Sequence, residues 1–246
     1  MNEIQKFKEI WEPKKEYIEK DLWVIRNFLT EEELEWLIKE ANDPNDWYST
    51  MRSPYGKNTK NKFLNYITQY DENGEVIPPH PSNNPKFNHS PLMDAISMRC
   101  EAVLPKYFAG IAALQSFFEV PDEQIIKELG HNVDYAMDFH YERDDEDDDE
   151  DQRLIIEKED GSKIFSQSKI TAAFNVYIND NFDGGILEFK NKDYAIKPEP
   201  GMLINIPLYK EFEHRVTKVT NGNRHALYGR SWSFLKGRHL SSKEDC

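Results

Sequence analysis

Hydrophobic and polar residues follow a helical pattern in much of the first half of the chain. Residues 22–28 form a short apolar run that predicts a strand, and Thr30 with Glu33 three positions later matches the capping box of a helix start. A second helical pattern runs over residues 91–118, with a break expected at Pro105. We therefore expect the first half to be helix-rich.

After residue 121 the pattern changes to short runs of β-branched and aromatic residues that alternate with polar ones between turn signals. These predicted strands cover residues 169–178, 185–189, 194–197, 202–206, 214–219 and 225–234. Turns are expected at residues 180–184, 198–201 and 221–223. Short, evenly spaced strands of this kind are typical of a β-sandwich or a jelly roll.

An acidic segment interrupts the predicted strands. Residues 144–151 are all Asp or Glu, and such side chains repel one another and cannot be packed in a core. The stretch that follows has apolar residues on both sides of Asp160 and Gly161, which predicts a hairpin. We interpret residues 144–168 as an insertion between two strands, either a lid or substrate-recognition loop or a tolerated surface insertion.

Composition and charge narrow the class of protein. The chain has 246 residues and a formal net charge of -14, which opposes binding to the phosphates of nucleic acids. Its cysteines are Cys100 and Cys246, so a disulfide framework is excluded and a reducing, cytoplasmic location is expected. No segment approaches the ~20 apolar residues that span a bilayer, so membrane association is not expected. The oligomeric state stays open.

A candidate metal site begins at the end of a predicted strand. His140 and Glu142 lie two positions apart, so their side chains share one face of that strand. A jelly roll can bring His214 beside them, and two imidazoles with one carboxylate form the facial set of Fe(II) oxygenases, which leaves coordination positions open. Asp138 and Asp144 are alternative carboxylates. His-x-Glu also arises by chance, in which case His140 is a surface residue.

The segment that begins at His214 carries the most specific pattern. It contains two valines, a glycine turn at residues 221–223, Arg224 ten positions after the histidine, and then an aromatic-rich strand. This pattern resembles the C-terminal core of the prolyl 4-hydroxylase family of Fe(II)- and 2-oxoglutarate-dependent dioxygenases. Three further segments resemble segments of the family and occur in the same order: residues 175–180, 183–189 and 197–203. The resemblance covers roughly residues 135–234.

The resemblance implies a metal site at the candidate residues. The iron would be held by His140, Glu142 and His214. The family's usual carboxylate is aspartate, so Glu142 departs from the pattern by one methylene group. The choice between Glu142 and Asp138 stays open at this point.

The resemblance also implies a site for the keto acid. Arg224 would bind the distal carboxylate of 2-oxoglutarate, because a guanidinium presents a planar fork to a carboxylate and remains charged when buried. Tyr177 would assist the same carboxylate, or it would be a core aromatic residue. Arg230 is a rival anchor, or it is an exposed basic residue further along the strand.

The fold implied by the resemblance is mainly β with flanking helices. It is a double-stranded β-helix, which is a jelly roll, with N-terminal helical support. We expect one prolyl-hydroxylase-like dioxygenase domain over residues 1–246. Its helical support would occupy residues 1–120, and its catalytic core would occupy residues 121–246 with the acidic insertion at 144–168.

The reaction implied by the resemblance couples oxidative decarboxylation of 2-oxoglutarate to hydroxylation of a substrate C–H bond. It uses Fe(II) and O2, with ascorbate as a reductant. The implied substrate is a peptidyl residue such as proline, and a free small molecule is the alternative within the same reaction class. Two other classes stay open: a non-catalytic jelly-roll module that binds a metal or a basic partner, and a Zn(II) hydrolase with the same ligands.

Overall fold

The computed structural model describes residues 13–45, 47–49, 59–62, 64, 69–70, 76–77, 91–104, 108–141, 152–157 and 163–234. The helices in these ranges are α1 (Glu31–Asn42), α2 (Pro91–Val103), α3 (Asp122–Leu129) and a 3-10 helix at Lys210–Phe212. Among the described residues, no helix combines the length and the apolar character needed to cross a membrane.

The strands of the described residues pair antiparallel throughout. They are β1 (Glu16–Tyr17), β2 (Trp23–Ile25), β3 (Tyr48–Ser49), β4 (Thr59–Lys62), β5 (Gln69–Tyr70), β6 (Val76–Ile77), β7 (Phe108–Phe117), β8 (Tyr135–His140), β9 (Gln152–Glu157), β10 (Lys163–Tyr177), β11 (Asp183–Gly184), β12 (Leu187–Phe189), β13 (Ala195–Ile196), β14 (Leu203–Pro207), β15 (His214–Thr217), β16 (Val219–Thr220) and β17 (Arg224–Phe234). The large sheet has the order β1-β2-β14-β10-β17-β7-β4-β3, with β9 paired to β10. The small sheet has the order β13-β12-β15-β8, and two further pairs are β11 with β16 and β5 with β6.

The large sheet and the small sheet enclose one buried core. Tyr177 and Ala226 of the large sheet belong to the same cluster as Leu187 and Val216 of the small sheet. We call this side of the large sheet its inner face. Two antiparallel sheets packed face to face in this way form the predicted jelly roll, which is confirmed.

Helices α1 and α2 cover the opposite side of the large sheet, which we call its outer face. Leu37 of α1 and Ile96 of α2 pack in one cluster with Leu114 of β7 and Leu227 of β17. Because successive side chains of a strand point to opposite sides, β17 alternates between the two cores. At the start of β17, the even-numbered residues therefore point to the inner face of the large sheet.

The predicted helix start at Thr30 is confirmed. Thr30 Oγ1 accepts a hydrogen bond from the Glu33 backbone N–H at 3.2 Å, and Glu33 Oε2 accepts one from the Thr30 N–H at 2.8 Å. The prediction of helix over residues 91–118 is wrong beyond Val103, because Phe108–Phe117 forms strand β7. β7 pairs with the long strand β17, and this pairing overrides the helix propensity of its alanines. Pro105 lies outside the described residues.

The strands predicted after residue 121 occur in the predicted order. The hairpin expected around residues 160–161 is confirmed by the pairing of β9 with β10, whereas residues 144–151 lie outside the described residues. The large sheet does not begin at residue 121, since β2, β4 and β7 of the first half are part of it. The first half thus adds strands as well as helices, and a single domain over residues 1–246 stays a prediction.

Candidate functional site

Two histidines meet where β8 ends and β15 begins. His140 and His214 are directly opposite each other in the pairing of these strands. Their ring centroids are 4.5 Å apart, with an angle of 57° between the ring planes. His214 is buried and His140 is half-buried. The jelly roll therefore brings together two residues that are seventy-four positions apart in the sequence.

Both imidazoles are oriented by backbone carbonyls. Nδ1 of His140 donates to the carbonyl oxygen of Asp138 at 2.8 Å, and Nδ1 of His214 donates to that of Phe212 at 2.9 Å. A carbonyl oxygen can only accept, so Nδ1 carries the proton and the lone pair of each neutral ring lies on Nε2. Histidine ligands of metals commonly have their tautomer fixed in this way.

The carboxylate of the predicted metal set is not placed. Glu142 and Asp144 lie outside the described residues, so their part in the site stays a prediction. Within the described ranges, no third His, Cys, Asp or Glu joins the two histidines in a group that could hold a metal.

Asp138, the alternative carboxylate, is directed to the backbone of its own strand. Its side chain is exposed, and one of its carboxylate oxygens accepts from the Phe139 N–H at 2.7 Å. The register also shifts here, because His214 is opposite His140 while Val216 is opposite Met137. Such a bulge breaks the strict alternation by which residues two apart, such as Asp138 and His140, share one face of a strand.

Arg224 begins β17 directly after the predicted turn at residues 221–223. The turn is formed by Asn221 and Gly222, with φ angles of 52° and 115°. Arg224 points to the inner face, and its guanidinium carbon lies 4.9 Å from the ring centroid of Tyr177 and 5.0 Å from that of Phe117. Only 2% of Arg224 is exposed. The predicted pair of Arg224 and Tyr177 is therefore brought together inside the core.

This pair presents polar atoms that the described residues leave unsatisfied. By hydrogen-bond geometry, Arg224 Nε and the Tyr177 hydroxyl are buried without a partner among the described residues, although the two side chains interact with each other electrostatically. No described acidic side chain acts on Arg224. Burial lowers the pKa of Arg224 and raises that of Tyr177. The guanidinium nevertheless stays charged and the phenol stays protonated at neutral pH, so both are donors. A buried cation without an anion is costly, and a bound carboxylate would remove that cost.

Gly185 makes room for the Arg224 side chain. A Cβ atom at Gly185 would lie 2.9 Å from Arg224 Cδ and 2.7 Å from Phe182 Cε2, and its φ of 62° also favours glycine. At the neighbouring Gly184, a Cβ would lie 1.8 Å from the Lys218 carbonyl oxygen. The pair of glycines therefore permits close packing around Arg224.

Thr59 is a residue that the sequence did not single out. It is fully buried on β4, in register with Phe117, which is itself in register with Arg224. Side chains in register point to the same side, so Thr59 also faces inward. Its hydroxyl, like Oδ1 of Asn61, is buried without a hydrogen-bond partner among the described residues. The sequence of residues 47–84 is irregular and rich in Tyr, Asn and Pro, and nothing in that segment marks Thr59.

No family model matches the chain, and no curated protein matches it. Among solved structures it is similar to the viral collagen prolyl hydroxylase vCPH of Paramecium Bursaria Chlorella virus-1, in a 2OG complex, with 16% identity, a TM-score of 0.48 and coverage of 87% of this chain and 96% of that chain. A Pseudomonas putida prolyl-4-hydroxylase has 14% identity, a TM-score of 0.46 and coverage of 88% and 94%. A Trichoplax adhaerens prolyl hydroxylase, in complex with a hypoxia inducible factor peptide fragment, has 16% identity, a TM-score of 0.43 and coverage of 91% and 88%. The likeness at these identities concerns the fold alone.

Proposed function

We propose that this protein is a non-haem, Fe(II)- and 2-oxoglutarate-dependent dioxygenase of the prolyl-hydroxylase type. The observation that carries the proposal is the combination, within one jelly roll, of two paired histidines with a buried arginine that has no described anionic partner. Together they provide nitrogen ligands for a metal ion and a cation for a carboxylate ligand.

The proposed metal ligands are His140, Glu142 and His214. The donor set fits a divalent iron, because the two imidazoles have the tautomer that places the lone pair on Nε2. With Fe(II) bound, the site supplies oxidative decarboxylation of 2-oxoglutarate by O2 and hydroxylation of a substrate C–H bond. Ascorbate is the proposed reductant that keeps the metal divalent.

The protein's own part is to bind and orient the keto acid. Arg224 and the Tyr177 hydroxyl would donate to its distal carboxylate, which directs the keto group toward the histidines. The guanidinium lies beside the ring of Phe117 and is almost fully buried, which keeps water away from it. An ion pair is stronger in such a dry environment than at the surface.

The proposed substrate is a peptidyl residue such as proline. This choice rests on the resemblance of residues 135–234 to the prolyl 4-hydroxylase segments, and a free small molecule remains the second candidate. A non-catalytic module would bind the metal without turnover. A Zn(II) hydrolase would leave the buried Arg224 without a role.

The first experiment is anaerobic addition of Fe(II) and 2-oxoglutarate to the purified protein. We expect a weak visible charge-transfer band, and succinate after admission of air. His214→Ala should lose both, and the exposed Arg26→Gln serves as a control that should keep both. Absence of the band in the wild-type protein, together with absence of succinate, would overturn the proposal.

A second experiment decides the carboxylate ligand. Glu142→Ala should lose tight metal binding, whereas Asp138→Ala should retain it because Asp138 is exposed and directed to the Phe139 N–H. Metal content after anaerobic purification measures both variants. The opposite result would move the ligand to Asp138.

A further inference from the structure

Asn179 lies two residues beyond the end of β10, beside the start of β17. Its carboxamide forms two hydrogen bonds with the backbone there. Asn179 Oδ1 accepts from the His225 N–H at 2.9 Å, and Nδ2 donates to the Asn223 carbonyl oxygen at 2.7 Å. These two partners are the residues immediately before and after Arg224. One side chain therefore holds the backbone on both sides of the proposed keto-acid anchor.

The carboxamide continues the pairing of β10 with β17 past the last residues in register, which are Tyr177 and Ala226. The Ile178 N–H still donates to the His225 carbonyl oxygen at 3.0 Å. Beyond that bond, the Asn179 side chain takes the place of a backbone peptide group, since it has both a carbonyl acceptor and N–H donors. The amide orientation is fixed, because Oδ1 faces an N–H and Nδ2 faces a carbonyl oxygen.

The turn before Arg224 is held from the β7 side as well. The Gly222 N–H donates to Glu119 Oε2 at 2.8 Å, and the Glu119 N–H donates to Asn223 Oδ1 at 3.0 Å. Glu119 lies two residues beyond the end of β7, as Asn179 does beyond the end of β10. The bonds of Glu119 fix the turn, whereas the bonds of Asn179 fix both neighbours of Arg224.

Arg230, the rival anchor considered from the sequence, is positioned in another way. It is half-buried and not exposed, and its backbone is paired with β10 on one side and with β7 on the other. Strand pairing alone sets its position. Arg224 is in register with β7, but the register with β10 begins at Ala226. On that side, Asn179 supplies the contacts that hold Arg224 in place.

The position of the Arg224 backbone determines what its side chain can bind. The residue is only 2% exposed, and a Cβ atom at Gly185 would lie 2.9 Å from Arg224 Cδ. A side chain confined in this way cannot compensate for a shift of its backbone by adopting another rotamer. A guanidinium fork also has to match the two oxygens of a carboxylate in plane and distance. A displacement of about 1 Å is enough to weaken such an interaction strongly.

We propose that Asn179 is a positioning residue for the keto-acid site and acts through Arg224. This inference rests on the proposed function and adds a residue to which the sequence assigned no role. Asn179 is half-buried, and water can replace its carboxamide at the two backbone groups when the side chain is removed. Its removal should therefore affect ligand binding more than folding.

The test compares the affinity for 2-oxoglutarate with the affinity for Mn(II). Asn179→Ala, loaded with Mn(II), should bind 2-oxoglutarate about tenfold more weakly than the wild type in calorimetry, because the anchor is displaced. Its affinity for Mn(II) should be that of the wild type. Asn179→Ser is the second variant, since its short hydroxyl keeps a polar group but cannot span both backbone partners. It should show the same separation of the two affinities.

A double variant distinguishes positioning from a general loss of structure. With Arg224→Met, the anchor that Asn179 positions is absent, so adding Asn179→Ala should not weaken 2-oxoglutarate binding further. A purely structural role predicts the same loss in both backgrounds. Asn205→Ala is the matched control, because it removes another carboxamide of the large sheet, one that donates to the Asp21 carbonyl oxygen at 2.8 Å. It should keep the wild-type affinity for 2-oxoglutarate.

Two results would overturn the inference. One is equal 2-oxoglutarate affinity in the wild type and both Asn179 variants, and the other is an equal loss when Asn179→Ala is added to Arg224→Met. In both cases, binding of 2-oxoglutarate by the wild type leaves the proposed function in place. Absence of that binding in the wild type overturns the proposed function, and this inference with it.

Discussion

The two faces of the large sheet bury charged side chains in opposite ways. On the outer face and in the helices that cover it, buried cations have anionic partners: Lys62 pairs with Glu40 and Asp43, and Arg99 pairs with Glu33. On the inner face, Arg224 meets the rings of Phe117 and Tyr177 and has no acidic partner among the described residues. Since a buried charge without a counter-ion costs stability, this contrast supports the proposed carboxylate site at Arg224.

Adjacent residues of β17 show this contrast most directly. His225 points outward, where its Nδ1 hydrogen-bonds Ser116 Oγ and its ring lies 6.1 Å from that of Phe118. Arg224 points inward and meets aromatic rings but no described anion. The same stretch of backbone therefore supports the fold on one side and the proposed ligand site on the other.

The largest effect should follow from breaking the outer-face ion pair. Arg99 of α2 and Glu33 of α1 are 5% and 2% exposed, so Arg99→Met leaves a buried carboxylate without its cation. We expect a loss of about 3 to 5 kcal/mol in the free energy of unfolding. Urea denaturation measures it, and 2-oxoglutarate affinity of the folded fraction should not change.

A double variant provides the control. Arg99→Met with Glu33→Gln removes both charges, and glutamine at this position keeps the capping box with Thr30. Most of the lost stability should return. If the double variant is as unstable as Arg99→Met, the loss comes from packing and not from the unpaired charge.

The inner-face arginine should behave in the opposite way. Arg224→Met removes a buried cation that has no described partner, so the free energy of unfolding should be unchanged or higher. Affinity for 2-oxoglutarate should fall about 100-fold, or ~2.7 kcal/mol, because a charge-assisted bond is lost. Calorimetry with Mn(II) as the metal measures the affinity. A destabilised variant with normal affinity would place Arg224 among the structural groups.

The buried outer-face histidine should make stability depend on pH. Burial, and then the neighbouring Arg224, lower the pKa of His225 from its ordinary 6.5 to about 4. The unfolded chain therefore takes up a proton before the folded protein does, and stability is lost as pH falls from 6.5 toward 4. Between pH 7 and pH 5 the loss should be about 2 kcal/mol.

His225→Gln isolates this contribution. Glutamine does not titrate, so the free energy of unfolding of the variant should change by about 2 kcal/mol less between pH 7 and pH 5 than that of the wild type. Subtracting the variant's change in unfolding free energy from that of the wild type cancels the contributions of the other titrating groups, which both proteins share. Equal pH dependence in the two proteins would contradict a buried, neutral His225.

The sequence predicted the parts of this arrangement that depend on local signals. Thr30 and Glu33 mark a helix start by side chains that satisfy backbone groups nearby, and the spacing of His214 and Arg224 is set by one turn. Longer-range features were not visible. β7 was predicted as helix because its pairing with β17 is non-local, and the bulge that turns Asp138 away depends on the register with β15.

Thr59 tests the proposed ligand site at a residue that the sequence did not indicate, because its strand Thr59–Lys62 is polar throughout. The effect of a substitution there should be small. Valine has the same shape and the same preference for strands, so Thr59→Val removes only the hydroxyl. That hydroxyl has no partner among the described residues, so the free energy of unfolding should be unchanged or slightly higher. A hydroxyl that donates to the keto acid is lost in this variant, so 2-oxoglutarate affinity should fall about fivefold, or ~1 kcal/mol.

Ser116→Ala is the matched outer-face control. It breaks the hydrogen bond to His225 and should lower the free energy of unfolding without changing 2-oxoglutarate affinity. A Thr59→Val protein that is destabilised and binds 2-oxoglutarate normally would make Thr59 a structural residue with no part in the ligand site.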